Sequence, residues 1–255
     1  MKFDSKWETY QWWVFGSEIC RGEDLCGFRP TGRLHVGHYF AVIKPGQNGA
    51  SVLVATYHAP FSVTKNVEVL EKFNVKKILF QEKEFLPELY FSLLAISKIG
   101  DLSRMTQFKS AKEEDRTGHL MTYPVLMAHD VAGYKNVLVG EDQEQHLQYA
   151  RKLLSKFNQN SPTKYAIPVA KIVSGRIKDL RDPSKKMSKS SPDGCLFLDD
   201  SSEQIRAKIK RATADEAGLN NLKFLYNEFV GEVVPEQNQK LKERLADCIV
   251  NTICK

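Results

Sequence analysis

The sequence predicts an α/β fold: a doubly wound parallel sheet followed by a short C-terminal helical tail. Three observations predict it. Short apolar runs rich in β-branched residues alternate with stretches whose apolar residues recur at helical spacing, the pattern of a parallel sheet covered by helices. After Ser190 the strand-like runs stop and only helical patterns follow. A length of 255 residues with 42% hydrophobic content supplies a core for one large domain with an appendage.

The elements follow in order. Asp24–Phe28 is the first strand, the loop RPTGRLHVGH (29–38) leaves its carboxyl end, and a helix starts near Val36. ASVLVATY (50–57) and KKILFQ (76–81) are strands, and between them TKNVEVLEKFN (64–74) carries Val67, Leu70 and Phe73 at helical spacing. ELYFSLLAISKIG (88–100) reads as a buried helix ending at Gly100, and NVLVG (136–140) as another strand. DQEQHLQYARKLLSKF (142–157) is a helix with Leu147, Ala150, Leu154 and Phe157 on one face. SSEQIRAKIKRATAD, NLKFLYNEFV and QNQKLKERLADCIVNTI are successive helices, the last amphipathic because Leu241, Leu245, Ile249 and Ile253 recur every four residues. Residues 1–198 form the α/β domain and 199–255 the helical tail.

Composition narrows the function classes. An excess of 37 Lys+Arg over 31 Asp+Glu, +6 net, permits a polyanionic partner without demanding one. Cys20, Cys26, Cys195, Cys248 and Cys254 are an odd, scattered set without a CxxC pair, which points to reduced thiols and away from a disulfide framework or zinc site. The opening stretch MKFDSKWETYQWWVFG holds all three tryptophans but breaks its apolar residues with charges, and no later run approaches a membrane span. A soluble, cytoplasmic protein is expected.

Two loops carry chemistry. In RPTGRLHVGH the spacing Gly32-x4-Gly37 is that of a phosphate-binding P-loop, yet His38 and Tyr39 stand where the required Lys and Ser/Thr would be, which excludes it. DPSKKMSKSSPDG (182–194) sets lysines at 185, 186 and 189 among serines and prolines. Taken singly, His35 reads as a helix cap and the lysines as a solvated basic run. Together, His35-Val36-Gly37-His38 and Lys186-Met187-Ser188-Lys189-Ser190, about 150 residues apart, resemble the HIGH and KMSKS signatures of the class I aminoacyl-tRNA synthetases.

That resemblance implies a Rossmann-like domain that activates an amino acid with ATP, magnesium accompanying the nucleotide. It makes His35, His38, Lys186 and Lys189 catalytic, and assigns Arg29, Thr31, Gly32, Gly37, Gly140, Asp142, Met187, Ser188 and Ser190 to ATP. Chemistry agrees: a carboxylate attacking the α-phosphate builds an anionic transition state, and donors must converge there and on the departing pyrophosphate. Glycines allow close approach, a helix N-terminus favours phosphate, and the lysines on a Ser/Pro-bounded mobile loop act in the transition state.

The middle of the chain bears on the amino acid. MTYPVLMAHD (121–130), VGEDQEQHLQYARKLLSKFN (139–158), RMTQFKSAK (104–112) and the approach Gly27-x2-Pro30-Thr31-Gly32 are similar to the tryptophanyl-tRNA synthetases, over roughly residues 24 to 215. The family relation implies that Asp130 accepts the indole N–H, Met127 packs on the ring, and Tyr123 and Gln143 hold the α-amino group. It further places Leu25, Gly27 and His58 at the substrate and implies tRNA(Trp) as acceptor and a homodimer. Indole offers one donor and no acceptor, so a partly buried carboxylate is a natural partner. A phenol suits Asp130 too, which keeps tyrosine open, as are a paralogue serving a non-tRNA acceptor and a non-enzymatic nucleotide-binding module. Three residues depart from the family: Arg29, Leu25 where an aromatic is frequent, and His129 where a small residue is usual. The tail, with Phe224, Tyr226 and Phe229 its only aromatics, offers little surface for anticodon bases. Lys208, Lys210, Arg211, Lys240, Lys242 and Arg244 are expected to hold phosphates, so recognition would lean on the acceptor end.

Overall fold

The computed structural model describes residues 18–61, 66–173, 177–231, 234–235 and 237–254. The tryptophan-bearing start of the chain, and residues 64 and 65 of the helix expected over 64–74, lie outside the described residues. The chain divides into two compact units: Met1–Gly27 with Ala50–His58 and Lys77–Ile172, and Phe28–Gly49 with Ala59–Lys76 and Val173–Lys255.

The first unit carries the sheet. Its strands are β1 Glu18–Ile19, β2 Gly22–Phe28 (whose last residue already belongs to the second unit), β3 Ser51–Val54, β4 Lys77–Phe80, β5 Tyr134–Val139, β6 Lys164–Tyr165 and β7 Val169–Ile172. Five of them form a sheet in the order β4-β3-β2-β5-β7, and β1 pairs with β6 separately. Val52 stands opposite Ile78, Leu25 opposite Val137 and Val137 opposite Ala170, all in parallel register. The strand order reverses between β2 and β5, the switch point at which open α/β sheets hold ligands. All four residues of β3 are buried, which is why this strand reads as an unbroken apolar run and not an alternating one.

Helices Pro87–Ile96, Gly118–Val131 and Glu144–Asn160 pack on one another and on the sheet through a core that includes Leu25, Leu93, Met127, Val137, Leu147 and Leu154. Thr117 starts the second of them by accepting the N–H of Leu120 on its side chain. The helix expected to run to Gly100 stops at Ile96. Ser97 turns extended (φ −78°, ψ 136°) and its hydroxyl donates to the Leu93 carbonyl at 2.8 Å; Gly100 belongs to a separate turn, Ile99–Leu102. Strands β1, β6 and β7 were not among those expected. β7 leaves Val169 and Ile172 about half exposed, so it carries no burial pattern to read.

The second unit is helical. After the histidine loop the chain runs Val36–His38 (α), Tyr39–Ile43 (π) and Lys44–Gln47 (α), and π segments, rare in proteins, are frequent at functional sites. Val67–Lys72, Ser202–Lys210, Glu216–Phe229 and Asn238–Ile253 complete it. Ser201 and Gln204 form a capping box, and Asp215 accepts the N–H of Gly218, so two of the last three helices start on side-chain caps. Leu241, Leu245, Ile249 and Ile253 are fully buried. Tyr39 stacks on Phe229 at 5.5 Å and Phe40 meets the same ring at 4.7 Å, while Tyr226 is fully buried, so these aromatics of the tail serve packing. The change to successive helices falls at Ser202, but the compact unit joins those helices to the histidine and lysine loops. No helix among the described residues is long and apolar enough to cross a membrane.

Candidate active site

In the second unit the histidine loop is built around two ring nitrogens. His35 caps the helix at Val36, and its Nδ1 accepts the N–H of Gly37 at 3.0 Å. The N–H of His35 is in turn donated to Nδ1 of His38 at 3.2 Å. A backbone N–H can only donate, so both Nδ1 atoms are acceptors and both rings carry their proton on Nε2. The expected cap and the expected donor are therefore one residue: capping with Nδ1 is what leaves Nε2–H to give. The glycine between them is dictated by space, since a Cβ on Gly37 would fall 2.7 Å from Cε1 of His35. Gly32 has another reason, a φ of +57° that side chains other than glycine adopt at a cost.

Both imidazoles are neutral. Burial, then the charges of Lys189 and Lys186, push His35 down to about 4. Burial, then His35 and Lys189, push His38 well below its ordinary value. Lys189 is itself lowered by burial and then by Arg29, and its ammonium donates to the Thr31 carbonyl. Arg29, Lys186 and Lys189 thus crowd like charge around two neutral N–H donors, an arrangement that a polyphosphate relieves.

The lysine loop, expected to be mobile, is braced from within. Met187 donates its N–H to the Ile177 carbonyl at 2.9 Å, Asp179 to Lys185 at 3.0 Å, and Leu180 to Gly194 at 2.9 Å. The Asp179 carboxylate accepts the N–H groups of Arg181 (2.7 Å) and Asp182 (3.0 Å), and a Cβ on Gly194 would lie 1.8 Å from it. Met187, assigned to ATP, has its side chain in the core at 2% exposure. Ser188 and Ser190 share a hydrogen bond of 2.9 Å between their hydroxyls. Lys185 is held by Asp182 at 2.8 Å, whereas Lys186 is exposed and paired across an isolated bridge with Lys178.

The histidine loop is joined to the segment after the lysine loop by an antiparallel clasp that sequence reasoning missed. Val36 donates to the Leu196 carbonyl and Leu198 to the Leu34 carbonyl, each at 2.9 Å. Asp200, 3% exposed, accepts from Arg33 at 3.1 Å, Lys208 at 2.6 Å and the Phe197 N–H at 2.9 Å, with Arg33 lying 4.0 Å over the Phe197 ring. Lys208 is therefore committed to the protein, and Lys242 likewise donates to the Lys210 and Ala212 carbonyls. Neither is free for the phosphate contacts expected of it.

In the first unit, helix Gly118–Val131 sets Tyr123, Met127 and Asp130 on one face at i, i+4 and i+7. Asp130 is buried and surrounded by donors. Gln81 Nε2 lies 2.8 Å from both carboxylate oxygens, His58 Nε2 donates to Oδ2 at 2.9 Å, and His129 Nδ1 donates to Oδ1 at 3.1 Å. Two backbone groups fix the orientations: Leu86 N–H donates to His129 Nε2 at 2.9 Å and Tyr57 N–H to Gln81 Oε1 at 2.7 Å. Burial pushes the Asp130 carboxyl up, but the hydrogen bonds from His129 and His58 outweigh it and hold the group below its ordinary value, ionised. Gln81, fully buried, is the site residue that sequence reasoning missed; a lone glutamine at a strand end carries no periodic signal.

The remaining assigned residues fall nearby in the same unit. Leu25 and Met127 belong to the same buried core. A Cβ on Gly27 would lie 3.1 Å from the Leu53 carbonyl, a close approach of β2 and β3. Tyr123 touches His58 edge-on at 4.3 Å and His146 at 5.2 Å, and its hydroxyl faces Gln143 at 3.4 Å. A Cβ on Gly140 would meet Asp142 at 2.8 Å. A cavity of about 570 Å³ is lined by Thr106, Gln107, Asp142, Gln145 and His146 among others, uniting the segments 104–112 and 139–158; Asp130 is not in its lining.

This geometry can be compared with known proteins. The model of the class I tRNA synthetases (W and Y) matches residues 62–253. The tryptophan–tRNA ligase of Oceanobacillus iheyensis is 30% identical, covering 89% of this chain and 84% of the relative, and that of Ureaplasma parvum is 34% identical, covering 78% and 70%. The crystal structure of tryptophanyl-tRNA synthetase from Mycoplasma pneumoniae superposes with a TM-score of 0.78 at 28% identity, over 91% of this chain and 85% of that one. Two neutral N–H donors beside lysine and arginine are what an ATP-using ligase of this kind requires, and the chain belongs to the class I tRNA synthetases of the tryptophan and tyrosine family.

Proposed function

We propose that this chain activates tryptophan with ATP to tryptophanyl-adenylate and transfers it to tRNA(Trp). The observation that carries the choice of amino acid is the buried, ionised Asp130, held by His58, Gln81 and His129 on the helix face that also carries Met127. A side chain with one donor and a large apolar face suits such a site, and the tryptophan–tRNA ligase activity of the relatives supports it. Tyr123 and Gln143 take the α-amino group in this reading. Smaller amino acids lose most of the binding energy, so the activation step needs no second sieve.

In the activation step a carboxylate oxygen of tryptophan bonds to the α-phosphorus, and the bond from that phosphorus to the bridging oxygen of pyrophosphate breaks. His35 and His38 donate Nε2–H to the phosphate oxygens throughout, because neither ring titrates near neutral pH. Lys189 and Lys186 take up the charge that grows on the leaving pyrophosphate, with Arg29, Thr31, Gly32, Gly37, Ser188 and Ser190 lining the phosphate path and Met187 anchoring the loop from the core. Gly140 and Asp142 are assigned to the ribose side. Magnesium enters with ATP as part of the substrate; among the described residues no group of three or more His, Cys, Asp or Glu offers a separate metal site. Homodimerisation, a cytoplasmic location and the division into 1–198 and 199–255 belong to the same proposal.

Charging of bulk tRNA with labelled tryptophan tests the acceptor. Acid-precipitable label that is released by mild base is the expected result. Adenylate formation without label on tRNA would move the acceptor to another molecule.

A further inference from the structure

Within the second unit, Lys186 owes its place to a short antiparallel ribbon. Lys178 and Lys186 stand opposite each other, and the ribbon is closed on either side of them by the Met187 N–H to the Ile177 carbonyl at 2.9 Å and the Asp179 N–H to the Lys185 carbonyl at 3.0 Å. Those bonds belong to the flanking residues, so Lys178 and Lys186 are a non-hydrogen-bonded pair, and the N–H and C=O of Lys178 point away from the lysine loop. In a wider sheet a third strand would take them. Here one side chain does.

Asn221, buried in the helix Glu216–Phe229, accepts the Lys178 N–H on Oδ1 and donates Nδ2–H to the Lys178 carbonyl, each at 3.1 Å. A side-chain amide offers the acceptor and the donor that a neighbouring strand would offer, so Asn221 stands in for that strand. A leucine there would pack the helix but leave both backbone groups of Lys178 unmatched. The same stretch is tied down once more, because Thr213 donates its N–H to the Leu180 carbonyl at 2.8 Å and its hydroxyl to the Arg181 carbonyl at 2.7 Å. The start of the helix is fixed against Thr213 in turn. Asp215 accepts the Gly218 N–H at 2.7 Å, and a Cβ on Gly218 would fall 2.1 Å from the Thr213 carbonyl oxygen.

We propose that Asn221 is a positioning residue for the activation step: it holds segment 177–179 as the fixed side of the ribbon and thereby sets the register and place of Lys186. The inference rests on the lysine loop serving the leaving pyrophosphate, as in the proposed function, and names the helix residue through which that loop is aimed. Lys189 has its own hold on the Thr31 carbonyl, so the influence of Asn221 passes through Lys186. Asn221 itself touches no reacting atom in this account.

A double-mutant cycle in ATP–pyrophosphate exchange tests it, with rates referred to tryptophan-binding sites counted by equilibrium titration, so that loss of folded protein does not register. Asn221→Ala is expected to lower kcat by about 10- to 100-fold while the dissociation constant for tryptophan stays within about threefold, the split that a misplaced transition-state group gives. In a Lys186→Ala background the same change is expected to cost less than about threefold, because no ammonium is left at position 186 to misplace. Equal fold-losses in the two backgrounds, or a kcat unchanged by Asn221→Ala, overturn the proposal. Asn221→Asp keeps the shape and the bond from the Lys178 N–H but sets an oxygen against the Lys178 carbonyl, and it serves if the alanine variant does not fold. It is expected to show the same coupling to Lys186→Ala, and additive losses overturn the proposal there too. If Lys186→Ala alone leaves kcat unchanged, the lysine is removed from pyrophosphate departure and the proposed mechanism falls with the inference, and the two failures are thereby distinguishable.

Discussion

Nδ1 of His35 accepts the N–H of Gly37 at 3.0 Å, and this single bond decides which nitrogen of the ring faces outward with a proton. It also decides why the residue two places on is glycine. Alanine at position 37 would place its Cβ 2.7 Å from the ring and push His35 off the cap. Gly37→Ala is expected to leave the protein folded and to lower pyrophosphate exchange by about 100-fold or more, the cost of misplacing a group at the reacting phosphate. A variant within about threefold of wild type would show that His35 does not act through this geometry.

The buried histidines set a pH dependence. An unfolded chain protonates His35 near its ordinary value of 6.5, while the folded chain resists until about 4. Between those values the unfolded state binds the proton that the folded state refuses, so stability is highest above about 6.5, falls as the pH drops towards 4, and stops falling on this account below it. His38, shifted the same way, adds to the slope. Urea midpoints measured from pH 4 to 8 should trace this rise and plateau, and His35→Gln should flatten it. A slope unchanged in that variant would contradict the assignment.

Lys189 stands half-buried against the Thr31 carbonyl and beside Arg29. If it serves the leaving pyrophosphate, Lys189→Ala should reduce the activation rate by about 100-fold while the dissociation constant for tryptophan stays within about threefold. Weakened tryptophan binding at an unchanged rate would place Lys189 in ground-state binding.

Asp200 holds Arg33 at 3.1 Å and Lys208 at 2.6 Å with its own side chain 1% exposed. Removing the carboxylate leaves the part-buried Lys208 ammonium with only the Cys195 carbonyl as acceptor. Asp200→Ala is expected to cost roughly 3–5 kcal/mol in urea denaturation. A loss under about 1 kcal/mol would mean that the clasp contributes little to the second unit.

What the sequence made legible was local. The histidine and lysine motifs each sit within five contiguous residues, and helices such as Asn238–Ile253 announce themselves because every fourth residue is buried. What it hid was either featureless or distant. The break at Ser97 is invisible because apolar Ile96 and Ile99 continue the pattern across it, and the decision rests on one hydroxyl bonding back to Leu93. β7 alternates nothing, being an edge strand with no buried residue and two half-exposed apolar ones. Gln81 meets Asp130 from 49 positions away and Arg33 meets Asp200 from 167, and no spacing rule foretells either.

The most direct test of the central claim is ATP–pyrophosphate exchange with each of the standard amino acids supplied singly. Labelled pyrophosphate should enter ATP when tryptophan is present and not when tyrosine replaces it. Exchange supported by tyrosine in place of tryptophan, or by none of the amino acids, would contradict it.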